Sequence, residues 1–166
     1  MATLGKTSCG KFVFDSYGSH SEVSRQILKE AIGRIDIPSN HSLFTFETTI
    51  YFQQVIGHDV VVQATDWEEI FFAVRPGNDF LSRFVRKEPV PTKCLTLKLK
   101  QLDKNIPQEW MLVSSYAGES RFPEIDFYEG VGPTLEQLNY WNAHAFCWGY
   151  VAIIPGTLTE SCPWEP

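Results

Sequence analysis

The chain has 166 residues, a length typical of a single domain that buries one hydrophobic core. Its formal net charge of −6 excludes a general attraction to a phosphate backbone, so we expect no nucleic-acid partner unless basic side chains cluster locally. The cysteines lie far apart with no zinc-binding spacing, and no apolar run reaches the roughly 18 to 20 residues that span a bilayer. We therefore expect a cytoplasmic protein with reduced thiols, no membrane segment, no metal and no cofactor.

The first regular element is a helix. Residues 1–11 carry little pattern and are expected to be loosely ordered. Ser19 and Glu22 then have the spacing of a capping box, and apolar residues recur every four positions after them. This pattern predicts a helix over about 20–32, ended by Gly33.

Strands dominate the middle of the chain. Residues 43–53 alternate apolar and polar side chains, which predicts a strand with one buried face. Residues 60–63 and 70–75 are short β-rich runs on either side of a polar turn, so we expect them to form a hairpin. Residues 94–102 and 110–116 are expected to pair as a second, antiparallel hairpin.

The C-terminal part begins with a loop over 117–133 that is rich in glycine and proline. Thr134 and Gln137 again have capping-box spacing, which predicts a helix to about residue 144 or 146. A terminal strand over 150–154 and a partly ordered tail over 157–166 follow. The sequence thus predicts one α+β domain over 1–166: a mainly antiparallel sheet of about five or six strands, with an N-terminal helix and a C-terminal helix packed on it.

Motifs for nucleotide binding, nucleophile elbows and common metal sites are absent from the sequence. A scattered polar set remains in the middle of the chain. Histidine acts as an acid or base near neutral pH, while arginine and hydroxyl groups stabilise a charged phosphorane-like transition state. The set therefore has the side chains that a metal-independent ribonuclease needs: His58, Asp66, Arg75, Arg83, Thr92, Ser114, Ser115 and Tyr116.

Each of these side chains also has an ordinary structural interpretation. His58 fits a polar position in a turn, and Arg75 before Pro76-Gly77 fits a brace for nearby carbonyl or carboxylate groups. The basic run from Arg83 to Lys87 is typical of a solvated strand end. His144, within an aromatic-rich segment, fits a histidine packed on a helix.

One stretch resembles a pattern of small uncharacterised bacterial proteins. It consists of Arg75-Pro76-Gly77, Ser82-Arg83, Pro91-Thr92 and the strand that ends in Ser114-Ser115-Tyr116-Ala117-Gly118. The same order is distantly similar to bacterial ribonuclease toxin domains, in which a helix packs on a four-stranded antiparallel sheet. The resemblance implies catalytic or phosphate-binding roles for five positions: His58, Arg75, Arg83, Thr92 and Tyr116.

Two functions from different classes follow. The first is an accessory domain without catalytic activity that binds a small molecule or a protein in a concave, aromatic-rich site, with ligand contacts from Thr92, Ser115, Trp141 and His144. The second is a metal-independent ribonuclease-like enzyme that uses His58 as acid or base with Arg75, Arg83 and Tyr116. A homo-oligomer with a structural role is a third alternative.

Overall fold

The computed structural model describes residues 2–15, 23–39, 41–78, 80–125 and 132–164. Within these ranges the protein is α+β, with two helices and eleven strands in three sheets. The α+β prediction is confirmed. The expected single sheet of five or six strands is wrong, because the strands are more numerous and form three sheets. Most of the pairings are antiparallel, as expected, but the two larger sheets each contain a parallel pair.

The elements in chain order are β1 (Thr3–Lys6), β2 (Phe12–Phe14), α1 (Arg25–Gly33), β3 (Thr45–Tyr51), β4 (Gly57–Asp59), β5 (Val61–Gln63), β6 (Ile70–Val74), β7 (Leu81–Val85), β8 (Val90–Thr92), β9 (Cys94–Gln101), β10 (Glu109–Ala117), α2 (Leu135–Ala143) and β11 (His144–Cys147). They fall into two compact units. Unit 1 comprises Met1–His58 and Pro91–Ser120, and unit 2 comprises Asp59–Val90 and Arg121–Pro166. The chain passes between the units within β4 and β8, which form the two-stranded third sheet. His58 therefore lies in a strand, not in the predicted turn.

Unit 1 contains a five-stranded sheet in the order β1-β2-β10-β9-β3. The predicted strand over 43–53 is present as β3, and the predicted antiparallel hairpin is confirmed as β9 and β10. Alternation along β9 turns Leu95, Leu97 and Leu99 to one face, where all three are fully buried. The sheet becomes mixed because β2 pairs in parallel with β10.

Helix α1 covers the apolar face of this sheet. It begins at Arg25, later than predicted, and the Ser24 side chain accepts from the Ile27 amide as its N-cap. The predicted capping box of Ser19 and Glu22 lies outside the described residues. Leu28, Ala31 and Ile32 are the buried side of the helix. A β carbon at Gly5 would lie 3.2 Å from the Ile32 side chain, so the close approach of α1 to β1 depends on glycine.

Unit 2 contains a four-stranded sheet in the order β5-β11-β7-β6. The predicted hairpin of residues 60–63 with 70–75 is wrong, since β6 pairs with β7 and β5 pairs with β11. The reason is the tight turn after β6, where Gly77 adopts a φ of +89° that L side chains rarely take. That turn joins β6 to the following strand, and β5 pairs with a strand from the end of the chain.

The C-terminal elements differ from the prediction in two respects. The capping box of Thr134 and Gln137 is confirmed at the start of α2. The helix ends at Ala143, however, and the next four residues form β11, not a last helical turn. Residues 150–154 are not a strand; the Ile154 amide donates to the Val74 carbonyl, and Thr159 makes an isolated bridge with Phe72. The tail therefore runs along the outer edge of β6.

Both faces of the unit 2 sheet are buried. One carries an aromatic core that includes Phe84, Trp141 and Phe146. The opposite face carries smaller side chains, among them Val62, Val85, Ala145 and Cys147. Because neighbouring residues of a strand point to opposite faces, Ser82 and Arg83 of β7 lie on different faces of this sheet.

Candidate functional site

A tightly held turn in unit 2 displays a tryptophan to solvent. The turn joins β5 to β6 and includes Trp67, which is 94% exposed. The Thr65 amide donates to the Glu68 carboxylate at 2.9 Å, and the Glu68 amide donates back to the Thr65 carbonyl at 3.2 Å. Lys87 forms an ion pair of 2.7 Å with the same carboxylate, and these contacts hold the pKa of Glu68 below its ordinary value. The indole is thus carried by a turn with a fixed backbone.

A cavity of about 660 Å³ lies beside this turn. Its volume falls in the range of roughly 300 to 1,000 Å³ that is usual for small-molecule sites. Asn142 contributes its side chain: the indole Nε1 of Trp164 donates to Oδ1 at 3.0 Å, so the amide nitrogen remains as a donor. The Ala64 amide donates to the Ala143 carbonyl, which ties β5 to the end of α2. We call this the Trp67 cavity; its lining residues are Gln63, Ala64, Thr65, Asp66, Trp67, Asn142 and Ala143.

A second cavity of about 200 Å³ shares Asp66 and Asn142 with the first, and Arg83 contributes to its lining. The Arg83 guanidinium donates to the carbonyls of Ala64 and His144 at 3.2 and 3.1 Å. It also lies 3.3 Å from the Asp66 carboxylate. The Arg83 side chain is only 4% exposed, whereas that of Asp66 is 92% exposed. The predicted solvated strand end is therefore wrong for Arg83, because β7 is an interior strand of the sheet.

A carboxylate network occupies the aromatic face of the same sheet. Glu124 accepts a hydrogen bond from Arg75 at 2.7 Å and another from Asn78 at 3.1 Å, and the Ser82 hydroxyl also donates to it. The Arg75 guanidinium lies 4.3 Å from the centre of the Phe146 ring, a cation–π geometry. These contacts fit the bracing role expected for Arg75.

A second ion pair flanks the same ring. The Arg121 guanidinium lies 3.1 Å from the Asp59 carboxylate and 5.9 Å from the centre of Phe146. Burial raises the pKa of the Asp59 carboxyl above its ordinary value of 3.8, although the Val61 amide, Arg121 and His144 act in the opposite direction. Burial is therefore the dominant influence on this group.

His144 is held by the helix that precedes it. Its Nδ1 lies 2.8 Å from the Tyr140 carbonyl, which only accepts, so Nδ1 is the donor of this hydrogen bond. The ring stacks on Tyr140 with centroids 4.1 Å apart. His144 is the first residue of β11 and not a helix residue, and its backbone carbonyl holds Arg83.

The eight predicted site residues divide equally between the units, with Arg75, Arg83, Trp141 and His144 in unit 2 and the others in unit 1: His58, Thr92, Ser115 and Tyr116. Within unit 2, the structure joins Arg83 to His144. Arg75 bonds Glu124, which also bonds Ser82, so Arg75 lies on the opposite face of the sheet from Arg83. Trp141 is buried, and its indole donates to the carbonyls of Phe122 and Pro123.

In unit 1, the Tyr116 hydroxyl donates to Glu47 at 3.3 Å, and the Ser120 hydroxyl donates to the same carboxylate at 2.8 Å. Ser115, the neighbour of Tyr116 in β10, points to the opposite face of the sheet and is buried. The Thr92 hydroxyl accepts from the Cys94 amide at 3.3 Å. His58 is exposed in β4. Hydrogen bonds therefore occupy Tyr116 and Thr92 within their own unit.

Of the residues that line the Trp67 cavity, only Asp66 belonged to the polar set predicted from the sequence, and neither Trp67 nor Asn142 was predicted as a site residue. The available signal was a tryptophan inside the polar four-residue turn that begins at Thr65. A large apolar side chain in such a turn has no core to pack against, which indicates that it is exposed.

No protein-family model, curated protein or solved structure matches this chain. Among the described residues, no helix is long and apolar enough to cross a membrane. The same residues contain no group of three or more histidine, cysteine or acidic side chains placed to hold a metal ion. The site must therefore be interpreted from its own geometry.

Proposed function

We propose that this protein is a cytoplasmic small-molecule-binding domain without catalytic activity, and that its ligand occupies the Trp67 cavity. The observation that carries the proposal is an indole 94% exposed on a fixed turn at a cavity of about 660 Å³. A single exposed apolar residue is ordinary on a protein surface. An exposed tryptophan beside a concave surface is different, because covering it buries a large rigid ring at little conformational cost.

The lining defines what such a ligand needs. A planar ring would stack on Trp67, while the amide nitrogen of Asn142 donates a hydrogen bond that orients it. The hydrogen bonds within the turn and between Ala64 and Ala143 hold the site in place before binding, which reduces the entropy lost on association.

The ribonuclease-like alternative has less support. It needs Arg75 and Arg83 around one phosphate, but these arginines lie on opposite faces of the unit 2 sheet and each pairs with a carboxylate. An assay of RNA cleavage between pH 5 and 8, with His58→Ala as the comparison, tests that alternative directly.

A thermal-shift screen of aromatic metabolites tests the proposal. A ligand at 100 times its Kd stabilises the protein by about 2.7 kcal/mol. We expect ligands that stabilise the wild type and bind about 5- to 150-fold more weakly to Trp67→Ala, because stacking on an aromatic ring contributes about 1 to 3 kcal/mol. Trp67→Phe should retain part of the affinity, since it keeps an aromatic face.

Leu135→Ala is the matched control, because Leu135 is also an exposed apolar residue of unit 2, at 72% exposure, and lies outside the cavity lining. It should bind like the wild type. Ligands that stabilise Trp67→Ala as much as the wild type would place the site elsewhere. A screen in which no compound stabilises the wild type would contradict the proposed function.

A further inference from the structure

The two side chains of the ion pair between Arg83 and Asp66 differ strongly in burial. The Arg83 side chain is 4% exposed and its carboxylate partner Asp66 is 92% exposed, at 3.3 Å. The other buried arginine pairs of unit 2 differ: Glu124, 2.7 Å from Arg75, is 14% exposed, and Asp59, 3.1 Å from Arg121, is 21% exposed. The most buried of these three guanidinium groups thus has the most solvated carboxylate.

This imbalance affects how firmly Asp66 is held. A buried cation requires compensation by acceptors or by an anion, because removing it from water is costly. A carboxylate that is largely in water gains little from such a pair and pays for fixing its side chain. Asp66 is therefore a partner that another anion can replace with small loss, while the carbonyls of Ala64 and His144 remain in place.

The smaller cavity borders Arg83. It measures about 200 Å³, is lined in part by Arg83, and shares Asp66 and Asn142 with the Trp67 cavity. A ligand whose ring stacks on Trp67 is consequently adjacent to the space in front of the guanidinium. Glu160 also lines this space, which disfavours groups of high negative charge.

We propose that the Trp67 cavity and the smaller cavity together bind an aromatic carboxylic acid. Its ring stacks on Trp67, and its carboxylate replaces Asp66 on the Arg83 guanidinium. The Arg83 Nη2, which donates to Asp66 in the free protein, donates instead to one oxygen of the ligand carboxylate in a charge-assisted hydrogen bond. This inference rests on the proposed function, and it adds the charge and chemical class of the ligand.

The test compares three probes that share a phenyl ring: phenylacetate, phenylacetamide and phenethylamine. Affinities are measured by calorimetry at pH 7 and low salt. We expect phenylacetate to bind at least tenfold more tightly than phenylacetamide, and phenethylamine to bind more weakly than either. Salt should weaken the binding of phenylacetate alone.

Asp66→Asn gives the sharpest result, because it removes the competing carboxylate while the carbonyls of Ala64 and His144 remain as acceptors for Arg83. Its thermal unfolding is recorded first, so that binding is compared between folded proteins. We expect it to bind phenylacetate about two- to fivefold more tightly than the wild type, with no change for phenylacetamide. Glu69→Gln is the matched control: Glu69 pairs with Arg86 at 3.2 Å on the exposed surface and does not line either cavity. It should not change either affinity.

The outcomes separate the two proposals. If phenethylamine binds best and Asp66→Asn abolishes that binding, Asp66 is the ligand's partner and the anionic inference is wrong, while binding in the Trp67 cavity stands. Equal affinities for phenylacetate and phenylacetamide would also overturn it. If the aromatic screen itself gives no ligand that depends on Trp67, the proposed function fails and this inference fails with it.

Discussion

The Glu124 carboxylate is the centre of the polar network in unit 2, so its charge should contribute strongly to stability. Its oxygens accept from Arg75, Asn78 and Ser82. Replacing Glu124 by glutamine keeps the size of the side chain and one carbonyl oxygen, but it removes the negative charge. Arg75 is then a half-buried cation that has lost its carboxylate and retains the ring of Phe146.

The magnitude follows from the contacts that are lost. The hydrogen bond between the two charged groups, Arg75 and Glu124, contributes about 1.5 to 3 kcal/mol. One of the two bonds from the uncharged donors Asn78 and Ser82 also loses its acceptor, which costs about a further 0.5 to 1.5 kcal/mol. Arg75 and Glu124 are 26% and 14% exposed, so solvent screening reduces the first figure only in part. We expect Glu124→Gln to lower the free energy of unfolding by about 2 to 4 kcal/mol.

Urea unfolding followed by tryptophan fluorescence measures this change in the free energy of unfolding, and the signal comes mostly from unit 2. Four of the five tryptophans lie in unit 2, namely Trp67, Trp141, Trp148 and Trp164. Glu160→Gln is the control, because Glu160 is an exposed carboxylate of the same unit, and we expect a change within about 0.5 kcal/mol. If Glu124→Gln unfolds at the same urea concentration as the control, the network does not stabilise unit 2 and our reasoning is refuted.

Two further predictions concern titratable groups. Because burial raises the pKa of Asp59, the folded protein holds this proton more firmly than the unfolded chain, so the free energy of unfolding should fall as pH rises above 3.8 toward the raised pKa. Asp59→Asn should lack this fall. If the difference in the free energy of unfolding between wild type and Asp59→Asn stays constant from pH 3.5 to 7, the prediction is wrong. For the thiols, burial raises the pKa of Cys147 to about 11. Burial also acts to raise that of the exposed Cys9, but hydrogen bonds and the charge of Lys11 outweigh it and lower the pKa. A disulfide reagent should therefore modify Cys9 rapidly in the native state, with this fast phase lost in Cys9→Ser, and modify Cys147 only after unfolding.

Local sequence patterns predicted the elements whose determinants lie within a few residues. The capping box of Thr134 and Gln137 needs only two side chains three positions apart. The strands over 43–53 and 94–102 were recognisable because alternation has a period of two. Their hairpin partner over 110–116 was predictable because a short connection favours antiparallel pairing.

The strand β11 illustrates what local patterns do not determine. It follows a helix directly, and three of its four residues are apolar, a run that is compatible with either a helix or a buried strand. Ala145 and Phe146 extend because β5 and β7 supply backbone partners on both sides. Those partners are distant in the sequence, so local patterns do not reveal the pairing. For the same reason, the sequence predicted the wrong partner for β5, which pairs with β11 and not with β6.

The sequence by itself determined that this is an α+β protein with two helices, the second of them begun by a capping box, and alternating strands, since these depend on short-range periodicity and on side chains a few residues apart. Only the tertiary structure decided the candidate site. The exposure of Trp67 depends on how β5 and β6, which its turn connects, are placed in the sheet, and the burial of Arg83 depends on the strands that flank β7. Strand pairing between distant segments is set by the packing of the whole sheet.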